Sequence, residues 1–249
     1  MSERSSRSAK PAEAAARVLL RCPGQCAVCR SWSDRAICEE CLLRYARAVP
    51  RCWTCAAQLP AELTGRREPK CGACLRDAPP LDRAIAALDY AFPWDRLLQQ
   101  YKFHQAVELR EALLDRLDRA LLAAQAAEPD VVLPVPLTDA RLRERGYNQS
   151  WEIARRLSAR RGLRCEAELL LRVRDTAQQA QLPLAERGAN VRGAFALEPR
   201  RATELRGRHV ALVDDVMTSG ATLHEIARVV RQAGATRVEA WVVARTPEM

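Results

Sequence analysis

Lysine is nearly missing from this chain: of 40 basic residues in 249, three are lysines (Lys10, Lys70, Lys102) and the rest are arginines. Set against 31 acids, they leave a formal net charge of +9. Such an arginine excess follows from codon composition as readily as from an anionic partner, so charge alone does not separate a solvated surface from a phosphate-binding one. Also missing is any apolar run near the roughly 18 residues that a membrane helix needs. The opening stretch, MSERSSRSAKPAEAAARVLL, is interrupted by charges where a signal peptide carries its apolar segment. No direct membrane insertion is expected, and the expected location is cytoplasmic. Neither G-x-x-x-x-G-K-[ST] nor G-x-G-x-x-G occurs, which argues against a nucleotide hydrolase and against a dinucleotide fold.

Cysteine, by contrast, is concentrated. Nine of ten lie in residues 22–74, and eight of these form Cys-x-x-Cys pairs: Cys26/Cys29, Cys38/Cys41, Cys52/Cys55 and Cys71/Cys74. A two-residue spacer lets both thiolates of a knuckle face one tetrahedral ion, and two knuckles complete a structural zinc site. Eight ligands suffice for two Zn2+ ions. Short loops favour sequential pairing, the first two knuckles together and the last two together, with an interleaved arrangement as the alternative. A disulfide framework would need an oxidising compartment, and redox Cys-x-x-Cys motifs come singly. With every position taken by thiolate, such a site has no room for substrate, so this module binds or supports rather than catalyses. Trp32, Tyr45 and Trp53 stand among Arg30, Arg35, Arg44, Arg47 and Arg51, a mixture that suits either base stacking with phosphate pairing or a miniature core. Cys22 and Cys165 have no partner at knuckle spacing and read as ordinary thiols.

The remainder reads as alternating helices and strands. Residues 104–127 have helical spacing and end before Pro129, VVLPVP (131–136) is a buried strand, and a second helix runs from about Gln149 to Arg161. Residues 165–173 are a further candidate strand. Residues 174–193 are polar and aperiodic, as in a long mobile loop. His209–Asp214 is an apolar strand, Ala221 to about Gln232 a helix with Leu223, Ile226, Ala227 and Val230 on one face, and Arg237–Ala244 another strand. Alternation of this kind means a mostly parallel sheet covered on both faces, with ligands at the carboxyl ends of its strands.

One such end carries chemistry. Asp214 and Asp215 close a buried strand, and Thr218-Ser219-Gly220-Ala221-Thr222 then opens a helix. Unsatisfied N–H groups at a helix start cradle phosphate, and adjacent hydroxyls add donors. Paired carboxylates beside that cradle can accept hydrogen bonds from two neighbouring sugar hydroxyls, which suggests a ribose 5-phosphate. A single Asp could merely cap the helix; two exceed that need.

The string Val210–Thr222 resembles the phosphoribosyl pyrophosphate signature of type I phosphoribosyltransferases. More of the chain, from about residue 22 to 245, is similar to the ComF family. The similarity rests on the four knuckles, Tyr101-Lys102-Phe103-His104, Pro134-Val135-Pro136-Leu137, Arg141-x-Arg143-x-Arg145-Gly146-Tyr147-Asn148-Gln149, Arg172-x-x-x-Thr176-x-x-Gln179-x-x-Leu182, Arg187, Asn190 and Gly193-Ala194-Phe195. The resemblance implies an α/β fold, a type I phosphoribosyltransferase-like parallel sheet flanked by helices and preceded by a small cysteine-rich zinc-ribbon domain. The expected division is a flexible tail at 1–21, the zinc ribbon at 22–80 and the phosphoribosyltransferase-like domain at 81–249.

Carried over by position, Asp214 and Asp215 would hold the ribose 2- and 3-hydroxyls, while Thr218, Ser219, Gly220, Ala221 and Thr222 would bind the 5-phosphate. Pro136, Leu137 and Thr138, with Arg141, Arg143 and Arg145, resemble the pyrophosphate loop. Arg172, Thr176, Gln179, Arg187 and Asn190 would belong to a mobile loop closing over phosphoribosyl pyrophosphate and Mg2+. A hood over the acceptor is expected within residues 85–104, where Lys102 is either a ligand-facing cation or a surface residue. His209 and His224 read as structural. The implied function is phosphoribosyl transfer to an unidentified acceptor, linked to DNA uptake and natural transformation. The alternative is a non-catalytic nucleotide sensor that binds single-stranded DNA. Candidate partners are single-stranded DNA and proteins of DNA uptake or recombination.

Overall fold

Four runs in which apolar side chains occupy both faces build the central sheet. In the computed structural model, which describes residues 24–103, 106, 108–174 and 184–247 (of 184, 185 and 187 the backbone alone), β3 (Arg83–Asp89), β8 (Arg237–Arg245), β7 (His209–Met217) and β4 (Val131–Pro134) lie side by side in that order. All three pairings are parallel, with Ala84 opposite Ala240, Val213 opposite Trp241 and Val131 opposite Val210. Because side chains alternate along a strand, each run feeds two cores. Val131, Leu133, Val210, Leu212, Val238, Ala240 and Val242 face α8 (Ala221–Gln232) through Leu223, Ile226, Ala227 and Val230. Val132, Ala211, Val213, Trp241 and Val243 face α3 (Trp94–Phe103), α4 (Leu109–Ala123) and α6 (Gln149–Arg161). Leu113, Leu114, Leu117 and Leu121 of α4 are wholly buried there, each worth roughly 1.5–3 kcal/mol of apolar transfer.

The cysteine-rich segment is packed into these same cores. It contains the two-residue strands β1 (Gly24–Gln25) and β2 (Trp32–Ser33), the helix α1 (Glu39–Tyr45) and the helix α2 (Gly72–Arg76). Cys26, Ile37 and Cys41 join the core under α3 and α4, whereas Cys52, Cys55 and Cys74 join the one under α8. Three polar contacts reinforce the junction. The Ala84 N–H of edge strand β3 donates to the Trp53 carbonyl at 2.9 Å, Arg51 pairs with Asp89 at 2.8 Å, and Trp94 Nε1 donates to the Tyr45 carbonyl at 2.6 Å. An edge strand so covered offers fewer free backbone groups to another chain.

Several expectations are corrected. Residues 85–104, where the acceptor hood is expected, hold most of β3, which starts at Arg83, and all of α3, which starts at Trp94. The run Ala84-Ile85-Ala86-Ala87-Leu88 escaped notice because alanine has little strand preference. The helix placed at 104–127 begins only at Leu109, where no side chain caps it, and ends at Ala123 before Gln125 turns left-handed at φ 48°. The polar segment 174–193 contains a helix, α7 (Leu184–Val191), whose Val191 is buried against the α8 core. Gly188 and the scarcity of apolar residues mask its period. Residues 165–173 yield only β5 (Leu170–Arg172), which pairs antiparallel with β6 (Phe195–Leu197), while Cys165 makes a lone parallel bridge to Val132. A further short helix, α5 (Asp139–Arg145), occupies the arginine-rich loop. The tail 1–21, Cys22, His104, Thr176, Gln179 and Leu182 lie outside the described residues, as does the side chain of Arg187.

Candidate active site

At the carboxyl ends of β7 and β4 the sheet opens into a cleft of about 360 Å³. Strand β7 brings Asp214 and Asp215 to its floor, and the chain then crosses Thr218 and Ser219 to the start of α8. Gly220 makes this crossing at φ +81°, a left-handed conformation that glycine adopts without strain. A Cβ there would stand 2.6 Å from Met217 Cε and 2.8 Å from His224 Nε2. Gly220→Ala is therefore expected to cost about 1–3 kcal/mol of stability and to displace the turn. Thermal melts together with the affinity for a phosphate ligand check this, both falling in the variant.

The acid pair is held asymmetrically. Lys102 Nζ, at the end of α3, lies 2.9 Å from Asp215 Oδ1. Asp214 Oδ1 accepts from Ser150 Oγ and from the Asp215 N–H, both at 2.9 Å. Burial, with the Asp215 charge next, pushes the Asp214 carboxyl up to about 7, against the opposing pull of Lys102 and Ser150. Arg141, Arg145 and Arg172 line the same cleft. Three guanidiniums beside a helix start suit an anion with several phosphate oxygens, since planar forks bind such oxygens bidentately.

The motif after β4 is divided between cleft lining and support. Thr138 is buried and caps α5 by accepting from the Arg141 N–H at 3.4 Å, and Arg143 is exposed away from the cleft lining. Leu137 lines the cleft, and Pro136 does not. Asn148 caps α6 through the Trp151 N–H at 3.2 Å and donates to the Val135 carbonyl at 3.0 Å. The Tyr147 hydroxyl donates to the Tyr101 carbonyl, and Gln149 Nε2 to the Lys102 carbonyl at 3.2 Å. These side chains satisfy carbonyls at the end of α3 that have no partner within the helix, and so fix the base of Lys102. Asn190 sits in α7 with its carbonyl accepting from Arg174 at 3.2 Å. Glu225 accepts from the Gly193 N–H at 2.7 Å, tying the far end of that segment to α8. Sequence reasoning missed Ser150 and Glu225; neither belongs to a recognisable spacing.

The cysteines gather in the sequential sets: Cys26, Cys29, Cys38 and Cys41 in one, Cys52, Cys55, Cys71 and Cys74 in the other, with all sulfurs of a set within 4.8 Å. Thiolates around one tetrahedral ion lie about 3.8 Å apart. Cys29 and Cys38 sulfurs are 3.6 Å apart, and those of Cys55 and Cys71 are 3.7 Å apart, so both sets fit a metal ion. N–H groups of Val28 and Cys38 point at Cys26 Sγ, and that of Cys71 points at Cys52 Sγ, which favours thiolate charge. Among the aromatics of this segment, Trp53 lies under the Arg83 guanidinium at 3.8 Å and Tyr45 packs edge-on against Phe92, while Trp32 is 74% exposed.

Comparison with known proteins agrees with this geometry. The phosphoribosyl transferase domain family matches residues 105–249. The DNA utilization protein YhgH of Salmonella typhi is 34% identical over 235 residues, covering 92% of this chain and all of the relative. The chain belongs to the ComF/YhgH family. Competence protein F of Haemophilus influenzae is 30% identical across 86% of this chain and 92% of its own length. Competence protein ComFC of Bacillus subtilis is 24% identical across 84% and 89%. The fold of this ComF-family chain is thus α/β, with a four-stranded parallel sheet of phosphoribosyltransferase type and a cysteine-rich N-terminal region. None of its described helices is long and apolar enough to cross a membrane.

Proposed function

We propose that the cleft binds phosphoribosyl pyrophosphate with Mg2+ and transfers the phosphoribosyl group to an acceptor still to be identified, in the service of DNA uptake or use. The observation that carries this reading is the acid pair within the last four residues of β7, in one cleft with the turn that starts α8 and with Arg141, Arg145 and Arg172. Asp214 and Asp215 would accept from the ribose 2- and 3-hydroxyls, and the N–H and hydroxyl groups of Thr218–Thr222 would bind the 5-phosphate. The arginines would hold the pyrophosphate as it leaves with the electrons of the anomeric C–O bond. Bound Mg2+ supplies charge neutralisation for that leaving group. Positive charge then develops on the sugar, and the acceptor attacks from the opposite face, with catalysis resting on positioning and electrostatics. The stretch between β5 and α7, with Thr176 and Gln179, would close over the ligand and exclude water, between Arg172 at the end of β5 and Arg187 and Asn190 in α7. Each cysteine set would hold one structural Zn2+, the module spanning 22–80 and the transferase domain 81–249. The reading places the protein in the cytoplasm.

A second reading, a non-catalytic nucleotide sensor that holds single-stranded DNA, draws on two observations. Apart from the acid pair, the cleft lining among the described residues has no carboxylate and no histidine to serve as a general base. Trp32 is exposed near Arg30 and Arg35 in sequence, a composition suited to stacking. Calorimetry with Mg2+ and phosphoribosyl pyrophosphate, followed by an assay for released pyrophosphate with candidate nucleobase acceptors, separates the readings. Saturable heat with pyrophosphate release supports transfer, heat without release under every acceptor supports the sensor, and no heat overturns both uses of the cleft.

A further inference from the structure

The second cysteine set and the phosphate turn share one side chain. Arg245, the last residue of β8, is 5% exposed and lies opposite Met217 in the sheet. Its Nε donates to the Cys55 carbonyl at 2.9 Å. Its Nη1 donates to the Thr218 carbonyl, to the Thr246 carbonyl at 2.7 Å and, at 3.5 Å, to the Met217 carbonyl. One guanidinium therefore spans from a knuckle whose Cys55 sulfur is in the metal-binding set to the first residues of the turn that lines the cleft.

The geometry has a directional consequence. A trans peptide is planar, and its C=O and N–H point in opposite directions. With the Thr218 carbonyl drawn to Arg245 and the Met217 carbonyl held by the Thr246 N–H at 3.0 Å, the N–H groups of Ser219 and Thr218 are aimed the other way, that of Ser219 by Arg245 itself. Thr218 and Ser219 line the cleft and Arg245 does not, so that other way is the ligand side. The planar guanidinium fork matters here, because a lysine could not hold the Cys55 and Thr218 carbonyls at once with the same geometry.

We propose that Arg245 is a positioning residue that makes the order of the phosphate turn depend on the metal centre at Cys52, Cys55, Cys71 and Cys74. The phosphate-binding part of this inference rests on the function proposed above; the mechanical link does not. A loaded centre fixes the Cys52–Cys55 knuckle, the knuckle fixes Arg245, and Arg245 fixes the turn. Emptying the centre releases the Cys55 carbonyl and lets the turn reorient. Coupling of this sort is reciprocal, so a phosphate ligand in the cleft strengthens metal retention by the same factor that metal strengthens ligand binding. The first set, Cys26, Cys29, Cys38 and Cys41, belongs to the opposite core and has no such contact among the described residues.

Hydrogen exchange on the whole chain, without ligand, tests the link. Removal of zinc with a chelator, at a temperature where the amides of α6 stay protected, is expected to speed exchange about tenfold in the first bonded turn of α8, beginning with the His224 amide that donates to the Gly220 carbonyl at 2.8 Å. Arg245→Met is expected to show that fast exchange even when zinc-loaded, with no further gain on stripping, and Arg245→Lys to fall between. Unchanged exchange on stripping, or independent additive effects of stripping and substitution, would overturn the proposal. A second arm uses pulsed alkylation read by mass spectrometry with Mg2+ and phosphoribosyl pyrophosphate as the probe. In the wild type, ligand should slow modification of Cys52, Cys55, Cys71 and Cys74 about fivefold and leave the first set unchanged, and Arg245→Met should abolish the protection. Bound ligand that protects neither set, or protects both sets equally, counts against the link. If the exchange arm succeeds but the wild type binds no phosphoribosyl pyrophosphate, the link stands and the reading of the cleft fails.

Discussion

The substitution Asp214→Asn, with Asp215 left in place as the 2.9 Å partner of Lys102, is expected to weaken binding of phosphoribosyl pyrophosphate with Mg2+ by about tenfold or more while the protein becomes more stable at pH 8. The two effects share one cause. Asp214 and Asp215 are adjacent carboxylates at a largely enclosed strand end, and only Lys102 stands within ion-pair distance of either among the described residues. Burial and the neighbouring charge raise the Asp214 carboxyl to about 7, from an ordinary value of 3.8. Between those values the folded protein keeps a proton that the unfolded chain has lost, so stability falls as pH rises through this window and the whole loss is present above 7. Each pKa unit corresponds to about 1.4 kcal/mol, so removing the charge should restore on the order of a few kcal/mol at pH 8 and almost nothing at pH 4. Ribose hydroxyls, however, need the carboxylate as acceptor, so binding in the wild type should tighten from pH 6 to pH 8. Melting curves of wild type and variant at the two pH extremes, beside calorimetric titrations, check both halves. A variant that melts lower at pH 8, or binds as the wild type does, would show that the pair is not a strained binding element.

How much of this site was legible beforehand depended on whether each role sits in contiguous residues. The strand, acid pair and hydroxyl-rich turn of residues 210–222 are consecutive, and the structure keeps them together at one end of the sheet. The cysteine sets follow from loop economy, and the sequential pairing is the one the fold brings about. Roles that arise by folding left no such trace. Ser150 reaches Asp214 across 64 positions, and Arg245 reaches Cys55 across 190. Composition misled where elements were alanine-rich or polar, as in β3 and α7, because tertiary burial rather than intrinsic preference settles their conformation. In the arginine-rich motif no spacing distinguishes ligand-facing from supporting residues: Arg141 and Arg145 line the cleft, whereas Thr138 and Asn148 cap helices and Tyr147 and Gln149 hold backbone carbonyls.

On the proposal that each cysteine set holds Zn2+, stripping the metal should lower the melting temperature of the whole chain by more than about 10 °C, in one transition rather than two. A zinc module merely tethered to an enzyme would melt alone and leave the larger unit unaffected. Here Cys26 and Cys41 are buried with Trp94, Leu114 and Trp241 on one side of the sheet, while Cys52, Cys55 and Cys74 are buried with Leu212, Ala240 and Val242 on the other. Structural zinc contributes roughly 10–16 kcal/mol per site in model peptides, which exceeds or matches the net stability of an ordinary domain. Loss of either ion would loosen side chains that wall one of the two cores, and loss of the ion at Cys52, Cys55, Cys71 and Cys74 would also free the Trp53 carbonyl from Ala84 and expose β3 at the sheet edge. Because thiolates must be free of protons to bind, acid should produce the same loss without a chelator. Calorimetric scans of loaded, stripped and reloaded protein, with zinc content measured on each sample, check the prediction. A high-temperature transition left unmoved by stripping would show that the cysteine-rich segment, for all its contacts, folds apart from the sheet.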